Sequence, residues 1–258
     1  GVGVFRVEDA NIAYETVKTA LSVGYRHVDT AMIYGNEEAV GKAIRDSGIP
    51  REEIFLTTKL WNDDQRSGKV EEAIEASLKR LGMDYVNLYL VHWPVKETYV
   101  SVWKKMEAVY KSGKAKAIGV SNYQTHHLAD LLEEAEIIPA VNQIECYPYL
   151  SQAATIQYCL ERNIRPEAWG PLGAGKSDIL TNPVITEIAK KRGLTPAQVV
   201  LGWNLERGVI VIPKSIHKER LTENLKCTDF ELTDEDMTRI SALNKNLRLG
   251  ADPDHFNF

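Results

Sequence analysis

Eight times along its 258 residues the chain passes from a short β-branched, apolar run into an amphipathic segment. The strand-like runs are GVGVF (1–5), YRHVD (25–29), IFLTTK (54–59), YVNLYLV (85–91), AKAIGV (115–120), PAVNQI (139–144), IRPEAW (164–169) and GVIVIP (208–213). Several are apolar almost throughout, as parallel strands covered on both faces must be. Helical patterns occupy 9–23, 35–47, 69–81, 98–112, 124–135, 151–162, 182–206 and 217–226. Thr195-Pro196 divides the seventh into two helices, with Thr195 as the cap. Many helical segments stop at a glycine, among them Gly24, Gly48, Gly82, Gly113 and Gly193, where the backbone can turn left-handed. No Ser- or Gly-rich linker interrupts the series. Eight such units predict one α/β domain over residues 1–258, a (β/α)8 or TIM barrel. Residues 232–258 add an amphipathic helix and a tail rich in Asp, Asn and Phe, placed to cap the barrel or its site. The rival fold, an open doubly wound sheet, requires GxGxxG after its first strand to bind a dinucleotide, and GVGVFR lacks the last glycine.

Charge narrows the partners. Thirty-one basic against 36 acidic side chains give a net charge of −5, so no overall positive field draws nucleic acid or an anionic membrane. No apolar run approaches the length of a transmembrane helix, and no signal peptide is visible in these residues. Three cysteines, Cys146, Cys159 and Cys227, are too few for a disulfide framework and read as reduced, buried thiols, which fits a cytoplasmic protein. No zinc-type ligand set stands out. The adjacent His126 and His127 are poorly spaced for one helical face and read as surface or packing residues, so no metal is expected. A barrel that completes its own core needs no obligate protein partner.

In a barrel of this kind reactive groups gather where strands end and loops begin. Asp29 ends the second predicted strand, Tyr34 follows in the next loop, Lys59 ends the third strand and His92 follows the fourth. Their chemistry is complementary for reducing a carbonyl, which needs hydride on carbon and a proton on oxygen. A tyrosine hydroxyl can supply the proton. A neighbouring ammonium favours the tyrosinate and is expected to lower its pKa. Asp29 would keep Lys59 charged and aimed, and His92 would donate a hydrogen bond to the carbonyl oxygen. Farther along, Ser121, Asn122 and Gln143 are polar groups able to hydrogen-bond a carboxamide ring. Lys214, Ser215 and Arg220 follow the eighth strand, where barrels commonly bind phosphate.

The phrases GYRHVDTAMIYGNEEAVGKAI, FLTTKLW, YVNLYLVHWP, IGVSNY, VNQIE and VIPKSIHKERLTENL occur in this order and cover most of the chain. In these the sequence resembles the aldo-keto reductase family, most of all the bacterial branch with 2,5-diketo-gluconate, glyoxal and aldehyde reductases. The resemblance implies an NADPH-dependent enzyme with Asp29, Tyr34, Lys59 and His92 as its catalytic tetrad. It implies that Ser121, Asn122 and Gln143 hold the nicotinamide amide, and that Trp169 stacks on its ring. Lys214, Ser215 and Arg220 would hold the 2′-phosphate, Glu223 and Asn224 the adenosine, and the loop with Leu172 would lie near the pyrophosphate. Phe5, Trp61 and Trp93, together with His92, would line a pocket for a small aldehyde, α-dicarbonyl or keto-sugar. Three departures accompany the match. The chain starts inside the first strand, without the N-terminal hairpin that plugs the barrel floor in that family, so an open floor is expected. Gly170 stands where serine is common, and Glu145-Cys146-Tyr147-Pro148 replaces an aromatic-histidine pattern. Two other readings stay open: a non-catalytic nucleotide-binding barrel, and a sugar-phosphate isomerase using Lys59 and His92.

Overall fold

A computed structural model describes residues 1–258. Eight parallel strands follow one another in chain order: β1 (Val2–Gly3), β2 (His27–Asp29), β3 (Phe55–Leu60), β4 (Val86–Val91), β5 (Ala115–Ser121), β6 (Val141–Glu145), β7 (Arg165–Trp169) and β8 (Ile210–Val211). Ladders join each strand to the next. Between β8 and β1 the seam is closed by single hydrogen bonds, such as Gly3 N–H to the Pro213 carbonyl at 3.2 Å. The result is the predicted (β/α)8 barrel, nearly closed.

The helices are α1 (Ala10–Val23), α2 (Glu37–Arg45), α3 (Asn62–Ser67), α4 (Val70–Leu81), α5 (Val102–Lys111), α6 (Thr125–Glu134), α7 (Ala153–Leu160), α8 (Pro183–Arg192), α9 (Pro196–Glu206), α10 (Lys218–Leu225) and α11 (Asp234–Ser241). None is long and apolar enough to cross a membrane. α4 shows why such segments form and dock. Val70, Ile74, Leu78 and Leu81 recur on one face and are buried, while Gly82 stops the helix in a left-handed turn. α9 starts where Thr195-Pro196 was read as a break: the Thr195 hydroxyl accepts from Gln198 N–H, and Gln198 reaches back to close a capping box.

Burial divides the core by layer. Most apolar side chains pack between strands and helices, in one cluster of 36 buried residues and another of 20. The inside of the barrel is different. Leu88, Leu90 and Val141 form a small apolar plug. Beside it Asp29, Lys59, Gln143 and Glu167 are buried and polar. The register sets Ser121 opposite Gln143, and Gln143 opposite Glu167. A polar group in this interior must find a partner or cost stability, so these residues are tied to one another.

Candidate functional site

Lys59 is the hub. Its ammonium has no solvent exposure and donates to Asp29 Oδ1 at 2.6 Å, to the Thr30 carbonyl at 2.9 Å and to the Tyr34 hydroxyl at 3.3 Å. Three donors and three acceptors leave its hydrogen bonding complete. Tyr34 is delivered by a single 3-10 turn, Met32–Tyr34, that ends at Gly35. The following Asn36 anchors this turn: its side chain accepts from Thr30 Oγ1 at 2.7 Å and donates to the carbonyls of Val4 and Val7. His92, directly after β4, meets the Tyr34 ring edge-on at 5.7 Å between centroids. The structure thus brings together the four residues read from the ends of three strands and the loop after the second.

Protonation follows from burial and neighbours. Burial works against the Lys59 charge, but Asp29 and Tyr34 outweigh it and hold the pKa above its ordinary value. For Tyr34 the expected downward shift is not the net result. Burial and Asp29 push its pKa up by more than Lys59 pulls it down, so the phenol keeps its proton at neutral pH. Burial, then Lys59, hold His92 well below the usual histidine value. Its ring is neutral and has one N–H to give, and Nδ1 is buried without a partner.

The residues read as cofactor contacts fall into two groups. Ser121, Asn122, Gln143 and Trp169 meet around the ends of β5 to β7. The Ser121 hydroxyl donates to the Gln143 carbonyl at 2.8 Å. Asn122, in a left-handed conformation (φ 64°), donates to the His92 carbonyl at 2.9 Å and accepts from Trp169 Nε1 at 2.8 Å. Gln143 Nε2 donates to Asp29 Oδ2 at 2.8 Å and to Glu167 Oε1 at 2.5 Å, and its side-chain carbonyl has no partner in the protein. The second group surrounds the start of α10. Lys214 and Arg220 are exposed and form no ion pair, while Ser215 is buried with its hydroxyl accepting from His217 N–H at 3.1 Å. Asn224 is buried and Glu223 half-buried on the same helix. Leu172 packs on the smaller core cluster beside the turn Gly173–Gly175. The Gln143 amide carbonyl is free to accept a hydrogen bond, and Lys214 and Arg220, near the start of α10 without ion-pair partners, are free to meet an anion.

The opposite wall is aromatic. Phe5 lies 4.9 Å from Tyr34 and Trp61 5.2 Å from His92, centroid to centroid. Two residues that sequence reasoning did not single out complete it. Phe258 stacks on Trp61 with planes 4° apart, and Phe256 and Phe258 each lie 5.2 Å from Trp93. Asn62 and Arg66 of α3 hold the Phe258 carbonyl at 3.0 and 2.9 Å.

The tail that carries these rings is fastened farther back. Leu249 and Gly250 donate their N–H groups to the Glu145 carboxylate at 2.7 and 3.0 Å. Gly250 has no room for a side chain, because a Cβ there would stand 2.5 Å from the Trp169 ring. Asp254 accepts from Gln124 Nε2 and faces Nε2 of both His126 and His127, at 3.0 and 3.3 Å. As read from the sequence, His126 is a surface residue and His127 a packed one, and both also help to fasten the tail. Their convergence has the composition of a metal site. However, the Gln124 backbone N–H donates to His127 Nδ1 at 3.1 Å, so the neutral ring carries its proton on Nε2, toward Asp254. Of the departures, Cys146 is buried with its thiol pushed up to about 11, which suits packing rather than nucleophilic chemistry. Gly170 takes a left-handed backbone (φ 60°).

Residues 3–245 match the family model described as the aldo/keto reductase family. The glyoxal reductase of Bacillus subtilis (strain 168) is 51% identical over 258 residues, covering 100% of this chain and 93% of that protein. The methylglyoxal reductase DkgA of Escherichia coli (strain K12) is 43% identical, covering 99% and 93%. Among solved structures, MGS-M4, an aldo-keto reductase enzyme from a Medee basin deep-sea metagenome library, superposes with a TM-score of 0.96 at 47% identity, covering 100% of this chain and 95% of that one.

Proposed function

Because the chain belongs to the aldo/keto reductase family, we propose that it reduces a small aldehyde, α-dicarbonyl or keto-sugar to the alcohol with NADPH. The observation that carries this reading is the buried Lys59, whose hydrogens go to Asp29, Thr30 and Tyr34. A bound reduced nicotinamide supplies hydride to the carbonyl carbon. Tyr34 gives its phenolic proton to the oxygen. Lys59 steadies the resulting phenolate, and Asp29 keeps Lys59 charged while that happens. Neutral His92 offers its N–H to the carbonyl oxygen as negative charge builds there. Phe5, Trp61, Trp93 and the tail phenylalanines wall the carbon skeleton and exclude water.

A small carbonyl substrate suits that wall and agrees with the names glyoxal and methylglyoxal reductase carried by two relatives. Cofactor choice rests on Lys214 and Arg220, which are exposed and form no ion pair, and on the Ser215 hydroxyl. A 2′-phosphate satisfies both cations, and NADH has none. Three unpaired, buried cysteines are in keeping with a reducing cytoplasm. The test is consumption of NADPH and NADH by the purified protein across a panel of aldehydes, α-dicarbonyls and keto-sugars. Faster, tighter use of NADPH with small carbonyls is expected. Cofactor binding without turnover would establish a non-catalytic barrel instead, and interconversion of sugar phosphates without cofactor would establish an isomerase.

A further inference from the structure

Glu167 is a buried carboxyl that the proton-transfer scheme leaves unused. It sits inside the barrel on β7 with 1% of its surface exposed, in register with Gln143 of β6. A side chain of this type in a barrel interior is costly unless its oxygens are satisfied. Its Oε1 accepts from Gln143 Nε2 at 2.5 Å, and the same nitrogen donates to Asp29 Oδ2 at 2.8 Å. Gln143 therefore spends both amide hydrogens on carboxyl groups.

This has a definite effect on the amide. Rotating it by half a turn would press the Gln143 carbonyl oxygen against two carboxyl oxygens, at the distances now occupied by N–H donors. Such a contact loses two charge-assisted hydrogen bonds and adds repulsion. We propose that Glu167 is a positioning residue for the nicotinamide: with Asp29 it fixes the Gln143 amide so that its carbonyl, and not its NH2, is offered to the cofactor carboxamide. The inference rests on the reductase reading and extends it to a residue outside the tetrad. Burial and the nearby Asp29 carboxylate raise the Glu167 pKa, and Lys59 faces the same interior. The orienting role survives protonation, because a neutral carboxyl still has a carbonyl oxygen to accept from Gln143.

That last point selects the variants. Glu167→Met keeps length and burial but accepts nothing. Glu167→Gln loses the charge and keeps an acceptor. The probes are NADPH and its 3-acetylpyridine analogue, in which the carboxamide NH2 is a methyl group with no hydrogen to donate. Dissociation constants are measured by fluorescence titration, with folding checked by thermal melting. Glu167→Met is expected to weaken NADPH about fivefold and the analogue less than about twofold, and Glu167→Gln to restore NADPH to within about twofold of the wild type. If the methionine variant does not fold, Glu167→Thr, too short to reach Gln143, replaces it with the same expectation. Equal loss for both cofactors means a merely structural role and overturns the inference. So does unchanged NADPH affinity in the methionine or threonine variant, or a glutamine variant that fails to restore it. Wild-type protein that binds neither cofactor refutes the reductase reading itself, before any variant is compared.

Discussion

Removing the charges of Asp29 and Lys59, singly and together, measures how far the two side chains act as one unit. They are 2.6 Å apart, with side-chain exposures of 3% and 0%. At an effective dielectric of 20 that separation is worth roughly 6 kcal/mol of attraction, and desolvation of both ions offsets most of it. Asp29→Asn leaves a buried ammonium facing a neutral amide. Lys59→Met leaves a buried carboxylate supported mainly by Gln143. Each single change is expected to cost about 3–5 kcal/mol of stability, since it strands one buried charge. The double variant strands none. It should cost less than the sum by about 2–3 kcal/mol in urea unfolding at neutral pH. Carbonyl reduction should be lost in all three. Single costs that add to within about 0.5 kcal/mol would show that the pair is not coupled and that the hub is wrongly drawn.

Tyr34→Phe keeps the ring and deletes the proton donor. Turnover should fall at least about 100-fold with cofactor affinity little changed, and near-wild-type turnover would remove Tyr34 from its role. Arg220→Ala should cost NADPH about tenfold more affinity than NADH at fixed ionic strength, and equal fractional losses would refute the phosphate assignment. His127 is held neutral, with its pKa pushed down from 6.5 to about 4 by burial and then by His126. Below pH 6.5 the unfolded chain takes up a proton that the folded one refuses. Stability from this site is therefore complete above that pH and is lost progressively as pH falls toward 4. His127→Gln should flatten the stability curve over that window, and a curve parallel to the wild type would contradict the assignment.

The barrel was legible because its signals are local and repeated. Glycine stops at Gly24, Gly82 and Gly193 and the Thr195-Pro196 start fall where the helices end and begin. Strand limits were less so. GVGVF and GVIVIP shrink to Val2–Gly3 and Ile210–Val211, because their remaining apolar residues leave the ladder at the seam while staying buried or packed. α3, NDDQRS, has no apolar stripe and gave no periodic signal. Asp29, Tyr34, Lys59 and His92 could be placed from strand ends alone. Glu167 could not, since a carboxylate in PEAW looks like an outward-facing strand residue until register puts it opposite Gln143. Phe256 and Phe258 reach Trp61 and Trp93 only because Glu145 and Asp254 fix the path of the tail, and those contacts span more than a hundred residues.

The seam between β8 and β1 has a consequence for the order of assembly. β3 and β4 pair along four consecutive residues across a single crossover that carries α3 and α4. Closing the seam joins positions about two hundred residues apart, as the Gly1 amine and Val211 carbonyl show with a separation of 210. Loop-closure entropy rises with that span, and few hydrogen bonds repay it, so the seam forms late and opens early. Phe5 and Lys214 leave its two sides, one beside Tyr34 and the other beside Arg6. Phe5 of the aromatic wall and Lys214, proposed above to bind phosphate, are therefore hung on the joint that the folding chain completes last.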